Sequence, residues 1–302
     1  MKLAVSSALL LALAGSAFAD PVVDGTRDAS YTSAATQNNQ TGFGASNLGD
    51  PLYANGSALA NAAYRIEGGN LYLFVGGNLE SNFNKLEIFF DTGVAGQNRL
   101  RGDNADVDFN GLNRMGDSGT GNGLTFDAGF QASLYFTTTC GGSPFAMFAS
   151  YAQLLPGGGG PGGYLGTTNG LGAPLSGGTN AINTLFAINN SFVDSAGGDG
   201  VLTPGQLAGY NACDTGFEMM IPLSALGNPS ELRIAIMVNG SGHDFLSNQV
   251  MAGLGGSPNL GDPRNVNFNQ YAGAQYITIP IPAPGAAALA CLGLLVGARR
   301  RR

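Results

Sequence analysis

Apolar and polar residues alternate in short blocks along most of the chain, and Gly- and Asn-rich segments separate the blocks. A period of two is typical of β-strands, because successive side chains of a strand point to opposite faces. Eight segments show this pattern most clearly. We predict strands at residues 70–76, 85–91, 124–139, 145–155, 185–189, 216–223, 232–239 and 275–281.

Eight or more short strands with Gly-rich turns predict an all-β fold, and we expect a jelly-roll-like antiparallel β-sandwich over residues 20–281. No amphipathic helix of ordinary length appears in this region, although residues 224–227 predict a short helical turn that ends on a glycine. Long Gly-rich loops at residues 156–163 and 167–178 would enlarge the sandwich. The first is not a phosphate-binding loop, because no Gly-Lys-Ser/Thr sequence follows it.

Residues 1–19 have the features of a secretory signal peptide, with Lys2 before a short apolar helix and an Ala-Phe-Ala cleavage site before Asp20. Residues 282–302 contain Pro-Ala-Pro-Gly, a second short apolar segment and four arginines. Residues 286–298 would form a helix of about 20 Å at 1.5 Å per residue, shorter than the roughly 30 Å bilayer core. We predict that residues 282–302 form a C-terminal sorting or anchor segment.

The proline-containing motif, the short hydrophobic helix and the arginine cluster together resemble the PEP-CTERM sorting signals of Gram-negative bacteria, although the usual Glu of the motif is missing. The resemblance implies passage through the export machinery, transient inner-membrane contact through the tail, and cleavage by an exosortase-type enzyme. The protein would then reach the cell surface or the extracellular space. A permanent membrane anchor is the alternative.

Four blocks between the two ends occur in a familiar order. They read VDGTRD at residues 23–28, NLYLFV at 70–75, LEIFFD at 86–91 and FEMMIPLSALG at 217–227. Together they resemble the family-nine carbohydrate-binding modules and the wider DOMON-like sandwiches. The resemblance implies a β-sandwich with a binding role.

Sugar-binding members of that family typically hold a sugar ring between tryptophans, and this chain contains no Trp. Its tyrosines are dispersed along the chain, a distribution more typical of half-buried β-surface positions. The ones that could stack on a sugar are Tyr31, Tyr53, Tyr64, Tyr151, Tyr164 and Tyr210. The resemblance therefore predicts the fold, and it does not locate a sugar site.

The charge of the chain excludes one class of partner. Setting aside Lys2 and the four terminal arginines leaves 8 of the 13 basic residues against 20 acidic ones, a formal net charge near −12. Nucleic-acid phosphates require clustered Lys and Arg, so we expect no nucleic-acid partner. The acidic balance permits cation binding.

One loop carries a candidate calcium motif of the form D-x-D-x-N-G. Asp106, Asp108 and Asn110 would supply side-chain oxygens, Leu112 its carbonyl, and Asp117 the acid at position twelve. Arg114, at position nine, places a cation where an oxygen is usual. The alternative is a solvated, Asx-rich turn without metal.

The three cysteines predict one disulfide. Cys291 lies in the tail, and Cys140 and Cys213 then form an even pair in an exported protein. A bond between them would close a loop of roughly 74 residues and stabilise the fold by about 4 kcal/mol at most. Two buried free thiols are the alternative.

Nothing in the sequence identifies an active site. His243 is the only histidine, and no G-x-S-x-G nucleophile motif is present. We therefore expect a non-catalytic binding or structural module, with extracellular polysaccharide as its ligand class. The alternative is a secreted carbohydrate-active hydrolase with an unrecognised pair of carboxylates.

Overall fold

The computed structural model describes residues 20–282. The predicted signal peptide and residues 283–302 of the predicted sorting segment, with their expected apolar helices, lie outside the described residues. Within residues 20–282, no helix is long and apolar enough to cross a membrane.

The described chain is mostly β-structure. Its twelve strands are β1 (Thr32–Thr36), β2 (Ala58–Glu67), β3 (Asn70–Asn78), β4 (Asn82–Asp91), β5 (Leu134–Gly141), β6 (Ala146–Gln153), β7 (Gly162–Thr168), β8 (Leu185–Ile188), β9 (Gly216–Pro222), β10 (Glu231–Asn239), β11 (Leu246–Val250) and β12 (Ile277–Pro280). Two α-helices are present in this part of the chain, α1 (Gly111–Arg114) and α2 (Pro204–Ala212). Three short 3₁₀ helices span Leu223–Leu226, Pro263–Asn265 and Phe268–Gln270.

The strands form two antiparallel sheets. The five-stranded sheet has the order β1-β2-β3-β9-β8. The seven-stranded sheet has the order β11-β10-β4-β5-β6-β7, and β12 pairs with β10. All these pairings are antiparallel. The predicted all-β class and the antiparallel arrangement are confirmed.

The main hydrophobic core lies between the two sheets. Leu71, Leu73 and Val75 of β3 belong to the same buried cluster as Ile88 and Phe90 of β4. The alternation of β3 therefore buries the face that carries its aliphatic residues. Each such side chain contributes about 1.5–3 kcal/mol through burial.

The outer face of the seven-stranded sheet is also largely covered. Phe89 and Tyr135, which point away from the main core, form a second buried cluster with Leu100, Phe126 and Phe268 from the long connections. This cover explains why β4 is apolar on both faces. It also corrects the predicted strand at residues 124–139: its first part is apolar because it belongs to the cover, and the strand itself begins at Leu134.

The turn predicted at residues 224–227 is confirmed. A 3₁₀ helix spans Leu223–Leu226, and Gly227 follows it with a φ of 78°. A positive φ is the conformation that glycine adopts without a steric penalty at the end of a helix.

The predicted disulfide between Cys140 and Cys213 is wrong, because both thiols are free and buried. Cys140 lies in the core between the sheets, whereas Cys213 packs in a third cluster, beside Ala60 and Tyr210. The Sγ of Cys213 donates to a backbone carbonyl in its own turn at 3.1 Å, and the Sγ of Cys140 lies 3.5 Å from the carbonyl oxygen of Leu79. Burial raises the pKa of each thiol to about 12.

Candidate ligand-binding cleft

A cleft of about 630 Å³ opens on the outer face of the seven-stranded sheet. Lys85 of β4 pairs with Thr139 of β5, which pairs in turn with Phe148 of β6. These outward positions continue the face that carries Phe89 and Tyr135. The lining residues are Phe83, Lys85, Asp108, Phe109, Thr139, Phe148, Ala149, Ser150, Tyr164 and Ser241.

Four of the lining residues are aromatic and reach solvent. Phe109 is 91 % exposed, and Phe83, Phe148 and Tyr164 are 36–42 % exposed. An apolar ring that remains almost fully in water gains nothing from the core of its own chain. Several such rings around one concavity are typical of a surface that covers a ligand.

The backbone that presents Phe109 is unusual. Asp108, Phe109 and Asn110 have consecutive positive φ values of 47°, 56° and 63°, and Phe83, near the start of β4, has a φ of 71°. Each non-glycine residue in this region costs on the order of 1–3 kcal/mol, and such conformations cluster at functional sites. The strain therefore favours a binding role for the turn and for the start of β4.

Arg114 ties this strained turn to the hairpin between β10 and β11. Its guanidinium donates to the carbonyl oxygen of Gly242 at 3.0 Å and to that of Phe109 at 3.4 Å. The turn continues directly into α1, where the amide of Gly111 donates to the carbonyl oxygens of Val107 and Asp108. The position of Phe109 is thus fixed by contacts on both sides.

A chain of ionic side chains begins with Lys85 and Asp108 in the lining of the cleft and continues into the buried interior. The Nζ of Lys85 lies 2.8 Å from Oδ2 of Asp108. His243 contacts the same oxygen through Nε2 at 2.8 Å, and its Nδ1 lies 2.7 Å from Oε1 of Glu87. The hydroxyl of Tyr135 donates to the other oxygen of Glu87 at 2.7 Å. We call Lys85, Asp108, His243 and Glu87 the charged network.

The protonation states follow from these contacts. Burial disfavours the charged form of His243, but Glu87 and Asp108 outweigh it and raise its pKa to about 9. Burial would raise the pKa of Glu87, but the charge and hydrogen bond of His243 lower it below its ordinary value. Burial likewise opposes ionisation of Asp108, and hydrogen bonds from His243 and Lys85 lower its pKa to about 2. At neutral pH the charged network holds two cations and two anions.

The predicted calcium ligands have different surroundings in the structure. Asp106 is exposed, Asp108 belongs to the charged network, and Oδ1 of Asn110 accepts from a neighbouring amide side chain. Leu112 is fully buried in the second cluster. Asp117 accepts three backbone N–H groups of its own turn through one oxygen.

No group of three or more His, Cys, Asp or Glu side chains is arranged to hold a metal ion in the part of the chain that the structure describes. The geometry of the loop therefore gives no support to the calcium prediction.

Sequence reasoning identified Asp108 but missed the site to which it belongs. Of the tyrosines considered for stacking, Tyr164 lines the cleft. The phenylalanines Phe83, Phe109 and Phe148 were not recognised, because no sequence pattern separates an exposed phenylalanine from a core one. Comparison of the chain with protein-family models, curated proteins and solved structures gave no significant match.

Proposed function

We propose that this is an exported surface or extracellular-matrix protein whose jelly-roll-like β-sandwich binds polysaccharide in the cleft without catalysis. The observation that carries the proposal is the set of exposed aromatic rings around a concavity with hydroxyl groups in its lining. Aromatic rings provide flat apolar surfaces, and sugar rings present flat C–H faces that can stack on them. Phenylalanine and tyrosine would here take the place of tryptophan.

The size and polarity of the cleft fit such a ligand. Binding sites for small ligands usually enclose roughly 300–1,000 Å³ and combine apolar walls with a few oriented polar groups. The cleft, at about 630 Å³, lies within that range. Tyr164 and Ser241, which are both exposed, contribute hydroxyl groups that can pair with sugar hydroxyls.

The contacts of the two carboxyl groups favour a binding role over a hydrolase. Glycoside hydrolysis uses one protonated carboxylic acid and a second carboxylate that reaches the sugar or a water molecule. Glu87 is fully buried, and His243 contacts both Glu87 and Asp108. The lowered pKa of both carboxyl groups disfavours the protonated form that a general acid needs.

The export part of the proposal rests on the two ends of the sequence. The Ala-Phe-Ala site and the Pro-Ala-Pro-Gly, apolar and arginine segments support secretion followed by processing of the tail. Mass spectrometry of the surface fraction tests it. A chain that has lost the terminal arginines supports sorting, whereas an intact terminus indicates a permanent anchor.

The binding function is tested by screening the purified protein on a glycan array. We expect Phe109→Ala to weaken binding about tenfold, because loss of one aromatic stacking contact removes about 1–1.5 kcal/mol. Phe245→Ala is the matched control: Phe245 is 49 % exposed but does not line the cleft. Equal binding by the two variants would exclude the cleft as the site.

A further inference from the structure

The charges around the cleft indicate which class of polysaccharide it accepts, an inference that rests on the proposed function. We propose that the cleft selects uncharged polysaccharide over acidic polymers. This preference depends on whether the charged groups of the cleft are free to pair with a charged sugar.

The cations near the cleft are already engaged. The ammonium group of Lys85 is 2.8 Å from Asp108, and its side chain is only 7 % exposed. His243 lies between two carboxylates and is almost fully buried. The guanidinium of Arg114 contacts backbone carbonyl oxygens. An acidic sugar that drew Lys85 away would have to compete with Asp108, and it would leave that partly buried carboxylate with one contacting cation, His243, where it now has two.

The surrounding surface disfavours anions further. Residues 20–282 carry the formal net charge near −12 derived from the sequence, and Asp106 and Asp244, on the loops beside the cleft, are exposed. A negative surface repels polyanions at a distance.

What remains for recognition is neutral: aromatic faces and hydroxyl groups. The binding free energy should therefore depend little on ionic strength, since salt screens charge–charge attraction but leaves stacking and hydrogen bonds largely unchanged. This insensitivity distinguishes the inference from adsorption of a charged polymer to the protein surface.

A single substitution should change the preference. Asp108→Asn removes one negative charge from the network and releases Lys85 toward the cleft. Asparagine tolerates the positive φ of position 108 better than most residues, so the turn that carries Phe109 is retained. We expect the variant to bind uronic-acid polymers about tenfold more tightly than the wild type at low salt, and the gain to vanish at high salt.

The experiment measures binding of neutral glucans and polyuronates to the full-length processed protein at two ionic strengths. The double variant Asp108→Asn, Lys85→Gln is the companion: it lacks the released cation and should lose the gain in polyuronate binding. Should Asp108→Asn not fold, the preference of the wild type decides, because preference for polyuronate overturns the inference and leaves the proposed function standing. No binding to any glycan on the array overturns both.

Discussion

Deprotonation of His243 should weaken the folded state in a defined pH range. Both ring nitrogens contact carboxylates, at 2.7 Å to Glu87 and 2.8 Å to Asp108. When the ring loses its proton, Glu87 is left as a fully buried anion without a cation beside it. We therefore expect the free energy of unfolding to decrease as the pH rises above neutrality.

The sign and size follow from linkage between protonation and folding. The pKa of His243 is about 9 in the folded protein, against an ordinary value of 6.5. The charged ring thus contributes stability that is complete below pH 6.5 and is lost as the pH rises through 9. At about 1.4 kcal/mol per pKa unit, the whole contribution is on the order of 3 kcal/mol, of which about 2 kcal/mol is lost between pH 7.5 and 9.5.

Urea unfolding of the purified protein at pH 7.5 and 9.5 measures this loss. The lower limit avoids Glu218, whose pKa is raised to about 7 by burial. Tyr135 and the two buried thiols, whose pKa values are raised in the folded protein, titrate at their ordinary values in the unfolded chain, and this contribution is common to the wild type and a His243 variant. His243→Asn is the control, since asparagine accepts the positive φ of 59° at this position. A wild-type stability that stays constant over this range, or an equal loss in His243→Asn, would refute the reasoning.

Two further predictions concern packing. Gly111→Ala would place a methyl carbon 2.1 Å from Cδ2 of His243, and we expect this overlap to cost about 2 kcal/mol in urea unfolding. In Gly163→Ala the added carbon has no atom within 4 Å, so near-wild-type stability is expected, and equal losses in the two variants would contradict the role of the overlap. Cys140 and Cys213 should resist alkylation in the native protein and both react after unfolding, because both thiols are buried with a raised pKa; a linked peptide in a non-reducing mass map would show that they are bonded after all.

Strand positions could be predicted from the sequence where apolar and polar residues alternate and the apolar residues are large. The predicted strands at residues 70–76 and 85–91 lie within β3 and β4, and those at 216–223 and 232–239 overlap β9 and β10 almost completely. These strands place large aliphatic or aromatic residues toward the core between the sheets. Such side chains give the strongest signal, because their burial provides most of the driving force for folding.

Other elements lacked that signal. β2 begins with small residues, several of which are buried alanines, so its alternation is weak although all of its first six residues are buried. β7 lies between the two Gly-rich segments that were predicted as loops and overlaps the ends of both. Its pairing with β6 depends on backbone hydrogen bonds, which leave no pattern of apolar and polar residues in the sequence. The positions of β2 and β7 therefore depend on pairing and packing in the folded protein more than on their local sequence.

Helix α2 was missed for a different reason. Its N-terminus carries a recognisable signal, in which Thr203 and Gln206 form a capping box around Pro204. The helix body has no apolar stripe, however, and Tyr210 is its one buried residue. A search for amphipathic periodicity finds nothing there, whereas a search for helix caps would have found its start.

The acidic loop shows the limit of local motifs. Asp108 was recognised as a site residue, but its partners were assigned from the spacing of nearby oxygens. In the fold it contacts His243, 135 residues away in the sequence, and Lys85 on the neighbouring strand. Asp117 accepts hydrogen bonds from the amides of its own turn. The spacing of the motif could not reveal either contact of Asp108, because both partners are distant in the sequence.

The outer face of β4 explains why the cleft lies where it does. That face reads Lys85, Glu87 and Phe89, so it is charged at one end and apolar at the other. The apolar end is sealed by Phe126 and the rest of the second cluster. Charged side chains cannot be sealed by an apolar cover without losing hydration, so they require a polar lid. His243 and the Asp108 turn provide that polar cover. They pair with the charged side chains and do not fill the space above the neighbouring strands. A concavity therefore remains beside them, and the exposed phenylalanines line it.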